Sequence, residues 1–317
     1  MADRALNELT ASEARAGMDA GNFTSEDLTA ACLARIEERE PAVEAWVHLD
    51  SGYALEQARD RDRVRAAGAS LGPLHGVPVA LKDIFDTCDM PTEYGSKRFA
   101  DRRPASDAFA TQLLRQAGAV ILGKVVTTEI AMMTPGKTRN PHDPERTPGG
   151  SSSGSCAAVG DNMAPLALGS QTAGSTLRPA SFCGIYGYKP TFGSISCTGV
   201  SPISRKLDHV GPLARSLEDL AILSDTLMVY DPRDEEMRAS PFMDLETSLS
   251  RPLSGAPRIG FARTHAWGEG DPDAFLTFEN FVASLGDSVD EFELPDSFAE
   301  LPGHHDNVMS AGLAYFY

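Results

Sequence analysis

Cysteines are few in this sequence, and they show no pattern typical of a disulfide framework or a zinc site. There are five, an odd number, and no two form a C-x-x-C pair. We therefore expect reduced thiols and a cytoplasmic location. No apolar run approaches the roughly 18 residues of a membrane-spanning helix. The N-terminal segment also lacks the apolar centre and cleavage pattern of a secretion signal.

Basic residues are also scarce. Lys and Arg total 28 against 45 Asp and Glu, which gives a formal net charge of −17. Such a surface repels phosphate backbones and anionic membranes. We therefore expect neither nucleic acid nor a membrane as a partner. A small molecule is the partner expected instead, and a homodimer is left open.

Helical signals dominate the N-terminal part. Capping boxes at 10–13 and 24–27 each predict a helix start. Gly21 is expected to end the first helix, and Pro41 the second. Residues 1–70 are therefore predicted to form a helical cover on the rest of the protein.

Strand-like and helix-like segments alternate from Leu74 onward, which is typical of an α/β protein with a mixed or parallel sheet. We predict one domain over 1–317: the cover at 1–70, a core at 71–230 and a further part at 231–317 that ends like a helix cut short. Strands are predicted at 77–81, 119–126, 163–169, 258–262 and 290–294. Helices are predicted at 106–117, 216–229 and 274–286, and in the second half of 149–160.

Three segments carry residues suited to acyl transfer, which needs a nucleophile, a base and donors for the oxyanion. Lys82 follows a buried-strand pattern, and burial would let a lysine act as a base. The stretch at 149–155, GGSSSGS, exposes amides and hydroxyls. The segment at 170–181, QTAGSTLRPAS, has small residues before Ser175. Each has a simpler alternative: a solvated strand-end lysine, a phosphate cradle or linker, and an ordinary strand-to-helix turn.

In this order and spacing, the segments at 76–87, 148–193 and 208–223 resemble the amidase signature family. The resemblance implies an α/β fold with a central mixed sheet flanked by helices on both faces. Family domains continue further, so the sheet is expected to be incomplete at the C-terminus. The resemblance also implies that no metal or organic cofactor takes part.

By position, the resemblance implies a catalytic triad of Lys82 as base, Ser151 as proton relay after a cis peptide bond, and Ser175 as nucleophile. It also implies an oxyanion hole from the backbone amides of Thr172, Ala173, Gly174 and Ser175. The product would be a carboxylate and ammonia or an amine. The rival G-x-S-x-G interpretation, with Ser152 as nucleophile, fails because a Pro-rich loop rather than a buried strand precedes it.

Two departures from the family pattern concern the substrate. Gln171 stands where most relatives carry Asp, and Arg178 lies three rather than two residues after the nucleophile. This pattern resembles the malonamidase-like branch. Both residues are therefore candidate substrate-binding groups, with Arg178 pairing with a substrate carboxylate. The alternative for Arg178 is that it braces the loop.

Several functions remain open from the sequence. The first is an amidase acting on a small carboxamide. The alternatives are the A subunit of a tRNA-dependent amidotransferase, which passes ammonia to a partner, and a truncated relative without activity.

The motif His304-His305-Asp306 is interpreted as a solvated loop rather than a metal site.

Overall fold

A mixed sheet of six strands forms the centre of the protein. The computed structural model describes residues 4–239 and 244–317. The strand order is β1-β3-β2-β4-β6-β5, in which β2 runs parallel to β3 and β4 while the outer pairs are antiparallel. The strands are β1 (Trp46–Leu49), β2 (Pro78–Lys82), β3 (Val120–Val125), β4 (Leu166–Gln171), β5 (Tyr186–Gly187) and β6 (His209–Ala214).

Helices flank this sheet, as the sequence predicted. α5 packs across β2, β3, β4 and β6, and α7 packs against β5 and β6. The helices are α1 (Ala11–Asp19), α2 (Ser25–Val43), α3 (Ser51–Ala66), α4 (Phe109–Gln116), α5 (Ser153–Gly160), α6 (Leu177–Phe182), α7 (Leu217–Leu227), α8 (Leu245–Ser250), α9 (Pro272–Ser284) and α10 (Leu301–Phe316).

Both predicted capping boxes are present at the starts of α1 and α2. The predicted stop at Pro41 is wrong, because α2 continues to Val43 and ends at Glu44 in the left-handed conformation. Proline removes only one helical hydrogen bond. The real end is set by the Glu40 carboxylate, which accepts hydrogen bonds from the amides of Ala45 and Trp46 and so turns the chain into β1.

The central strands are buried over their whole length, which explains their unbroken apolar sequence. α5 lies so close to them that a Cβ on Gly154 would come within 2.4 Å of the Ala45 carbonyl oxygen and of the Val126 amide. Glycine is therefore required where this helix crosses the sheet.

The C-terminal part contains a second, two-stranded parallel pair, β7 (Ile259–Phe261) and β8 (Val289–Glu291), joined through α9. α10 then returns to the core, where Met309 and Leu313 pack against buried residues. Among the described residues, no helix has the length and apolar character needed to cross a membrane.

Candidate active site

Lys82 is the last residue of β2, and its side chain is fully buried at the carboxyl edge of the sheet. Its Nζ donates hydrogen bonds to Ser151 Oγ at 2.7 Å and to Ser170 Oγ at 2.8 Å. Burial lowers the pKa of this amine from 10.5 to about 7, against an opposing pull from Asp208. Near neutral pH the amine is therefore available as a base.

Ser151 lies in the loop that leads into α5, directly after a cis peptide bond from Gly150. Hydrogen bonds from two different parts of the chain fix this loop. The Ser151 carbonyl accepts from the Thr128 amide at 3.2 Å, and the Gly150 carbonyl accepts from Nη2 and Nε of Arg178 at 2.7 and 3.2 Å. Ser151, the predicted relay, is thus held in a loop that contacts the segment after β3 and the Arg178 side chain of α6.

Ser175 lies in the loop between β4 and α6 and is 9% exposed. Its carbonyl accepts from the Ser152 amide at 3.3 Å, which joins the two serine loops. Within the described residues, its Oγ makes no hydrogen bond to Ser151. Catalytic hydrogen bonds are often long before substrate binds, so the separation does not conflict with a relay.

The backbone before Ser175 offers unpartnered donors. In the described part of the chain, none of the amides at 172–175 donates to a protein acceptor. The next two amides, of Thr176 and Leu177, are both bound at 3.0 Å by the side-chain oxygen of Gln171. The four amides predicted to form an oxyanion hole are therefore free to donate.

The two candidate substrate-binding residues both hold the site's own backbone. Gln171 is buried and caps the amides that follow Ser175. Arg178 is exposed and binds the Gly150 carbonyl. This geometry matches the bracing role that the sequence left open for Arg178.

Sequence reasoning missed two residues beside the predicted triad. Ser170, the second acceptor for Lys82, carries no motif of its own but precedes Gln171 at the end of β4. Asp208 is partly buried and accepts from Thr172 Oγ1 at 2.6 Å. Position could have indicated Ser170, since carboxyl ends of neighbouring parallel strands meet at one edge of a sheet. Asp208 precedes β6, which is antiparallel to β4, so it reaches the same edge from the amino end of its strand.

Two sequence features have structural explanations. Ser152 Oγ accepts from the Ser170 amide and donates to the Ser170 carbonyl. These two hydrogen bonds connect β4 to the loop that precedes α5. The predicted loop at 304–306 is wrong, because these residues lie in α10, whose apolar residues pack on the core and stabilise a helix there.

A cleft opens beside the triad, lined by residues that include Ile84, Ser170, Thr172, Val200 and Asp208. It lies between the strand ends and the segment at 192–209 and borders the first residue of the loop that carries Ser175. Lys82, Ser151 and Ser175 are not among its lining residues.

Comparison with known proteins gives the family. The Amidase family model matches residues 27–310. The chain belongs to the amidase signature family. Curated members at 39% and 41% identity are the glutamyl-tRNA(Gln) amidotransferase subunits A of Chloroflexus aurantiacus and Thermobifida fusca, each matched over 95% of this chain. The chain spans 63% and 62% of the length of these relatives.

Solved structures of the family confirm the fold. The native peptide amidase from Stenotrophomonas maltophilia superposes with a TM-score of 0.86 at 32% identity, over 98% of this chain and 67% of that one. A protein of a vestigial complex related to an s-triazine catabolic enzyme gives 0.84 at 35% identity, over 91% and 64%.

The expectation about partners needs correction. Net charge led us to exclude nucleic acid, and the partner that we expected was a small-molecule amide, with a homodimer left open. The curated relatives are named as subunits of an enzyme of glutamyl-tRNA(Gln), which overturns that exclusion. The charge argument applies only to direct contact by one chain's own surface, and a subunit that supplies nitrogen need not touch the RNA itself.

Proposed function

We propose that this protein hydrolyses a carboxamide through an acyl-enzyme on Ser175. Neutral Lys82 accepts the proton of Ser151, and Ser151 accepts that of Ser175 as its Oγ attacks the amide carbon. The unpartnered amides at 172–175 bind the oxyanion. The protons return to the departing nitrogen, and water then releases the carboxylate.

One observation carries this proposal. A fully buried amine whose pKa is about 7 donates a 2.7 Å hydrogen bond to Ser151. Burying a lysine without a carboxylate in hydrogen-bonding contact is costly, and a structural role would be served equally well by an apolar residue. Such an amine is well suited to removing a proton from a hydroxyl at neutral pH.

The biological setting that we propose is the A subunit of a glutamyl-tRNA(Gln) amidotransferase. A curated relative with this name is 42% identical to this chain, whereas the native peptide amidase is 32% identical. In that setting the nitrogen released at Ser175 is passed to a partner that acts on glutamyl-tRNA(Gln).

A stand-alone amidase is the second candidate. Its support is the superposition with the peptide amidase over 98% of the chain. The departures at Gln171 and Arg178 from the common family pattern also favour it mildly.

The chemistry is tested by labelling with an alkyl fluorophosphonate. We expect one label on Ser175, abolished in Ser175→Ala. Ser181→Ala is the matched control, since Ser181 is an exposed serine in the neighbouring helix α6. Labelling that persists in Ser175→Ala would contradict the assignment of the nucleophile.

The setting is tested by ammonia release. Glutamine, asparagine, malonamate and a peptide amide are supplied to the protein alone, and then together with the other subunits of a related amidotransferase and glutamyl-tRNA(Gln). Glutamine turnover that rises on adding both supports the subunit role. Fast turnover of a peptide amide by the protein alone, unchanged by the additions, supports the stand-alone amidase instead.

A further inference from the structure

Thr172 begins the loop that carries Ser175, and it is held from two sides by residues far away in the chain. Its hydroxyl donates to Asp208 Oδ1 at 2.6 Å. Its carbonyl oxygen accepts from His305 Nε2 at 3.0 Å. Neither contact is explained by local turn geometry, because the partners lie 36 and 133 positions further along the sequence.

The Asp208 carboxylate, which accepts the hydrogen bond from Thr172, is held in a fixed position. Asp208 is mostly buried, and its second oxygen accepts from the amides of Ile203 and Ser204, both at 2.9 Å. A carboxylate bound by three donors has little freedom to rotate. The side chain of Thr172 is therefore fixed relative to the segment at 201–208.

The His305 side is also anchored, because α10 packs directly on that segment. A Cβ on Gly312 would come within 2.6 Å of the Ile203 carbonyl oxygen, so the helix backbone lies against the chain there. At the end of α10, the Tyr317 hydroxyl contacts Ser201 and its ring packs edge-on against Phe99. His305 thus approaches Thr172 from an element fixed to the same side of the site.

The consequence follows from the planarity of the peptide bond. The carbonyl of Thr172 and the N–H of Ala173 belong to one trans peptide and point in opposite directions. A donor that fixes the carbonyl also fixes the direction of that N–H. The Ala173 amide is one of the unpartnered donors beside Ser175.

We propose that His305 is a positioning residue for acyl transfer, orienting the Ala173 amide toward the oxyanion through its hydrogen bond to the Thr172 carbonyl. This inference rests on the function proposed above. His305 does not touch the substrate. Oxyanion donors act because they are aligned before the reaction, so a loosened peptide slows bond formation more than it weakens binding.

The test compares His305→Ala and His305→Phe with His305→Gln and the control His304→Ala. Phe keeps the ring but has no donor, whereas Gln keeps a donor. His304 is the exposed neighbour on α10 and makes no hydrogen bond within the described residues. The measured quantity is the rate constant of Ser175 phosphonylation by an alkyl fluorophosphonate, per reactive site, because the phosphonyl oxygen occupies the oxyanion hole.

We expect His305→Ala and His305→Phe to react about tenfold more slowly, while His305→Gln stays within about threefold and His304→Ala within about twofold of the wild type. On an amide substrate, the loss should appear in kcat with KM nearly unchanged. Rates of His305→Ala and His305→Phe within twofold of the wild type would overturn the proposal, even if the melting temperature falls, because a merely structural anchor affects stability alone.

The outcome also separates this inference from the proposed function. A wild-type protein that is not labelled at Ser175 refutes the acyl-enzyme itself, and the role of His305 with it. A labelled wild type with equally fast His305 variants refutes only the positioning role. Should His305→Ala unfold, His305→Phe supplies the same comparison with the packing of the ring retained.

Discussion

The amine of Lys82 determines how the site responds to pH. Because burial places its pKa at about 7, the fraction of neutral base falls on acidification. We expect kcat/KM to decrease about tenfold per pH unit below that value. A pH profile of phosphonylation and of amide hydrolysis measures this, and a flat profile down to pH ~5 would exclude Lys82 as the base.

Arg178 gives a second test for a single residue. Its guanidinium holds the Gly150 carbonyl, next to the relay serine. We therefore expect Arg178→Ala to slow hydrolysis of malonamate and of uncharged malonamide by the same factor, about tenfold. Parallel steady-state kinetics on the two substrates decide the matter. A loss confined to malonamate would show instead that Arg178 binds the substrate carboxylate.

At the scale of elements, the sequence predicted those strands and helices that a local residue pattern determines. The apolar runs located β2, β3 and β4, the Gly/Ser stretch located α5, and the capping boxes located α1 and α2. β1 and β6 were not predicted. β6 carries Gly211 and Pro212 and resembles a loop until its pairing with β4 is known, because strand formation there depends on a tertiary partner.

The crossing of α5 over the sheet is a close backbone contact between elements near the site. We expect Gly154→Ala to destabilise the protein by about 1–3 kcal/mol, since its Cβ would meet backbone atoms that cannot move aside. Gly303→Ala is the control: Gly303 lies in α10 with no atom close to an added Cβ, and alanine favours a helix. Urea denaturation measures both, and equal stability of the two variants would refute the packing argument.

At the scale of the molecule, the three residues that we propose as a triad could be selected from the sequence because each belongs to a segment with a recognisable pattern. Ser170, Asp208 and His305 were not, because each acts only through a contact that the folded chain creates. His305 is the clearest case, since its partner Thr172 lies 133 residues away and the local sequence suggested a solvated loop.

The buried amine also affects global stability. The folded pKa of Lys82 lies near 7, below its ordinary 10.5, so between these values the unfolded chain binds more protons than the folded one. Stability should therefore rise with pH across that window. We expect Lys82→Met to be inactive, more stable than the wild type near pH 7, and less dependent on pH.

Thermal unfolding at several pH values tests this, with Lys97→Met as the control at an exposed lysine. Lys124→Met should behave in the opposite way to Lys82→Met. Lys124 is equally buried but lies 3.4 Å from the Asp83 carboxylate, which its loss would leave uncompensated. A Lys82→Met variant less stable than the wild type at pH 7 would contradict the argument.

The strand order has a consequence for synthesis. β4, which leads into the nucleophile loop, is completed on one side only by β6, and β6 is made after both serines. On the ribosome, Lys82, Ser151 and Ser175 therefore emerge before the strand that closes their sheet. Until His209–Ala214 arrives, β4 has an open apolar edge that other chains could pair with. The proposed nucleophile is therefore made before its sheet is complete, and the risk of aggregation lasts until β6 has paired with β4.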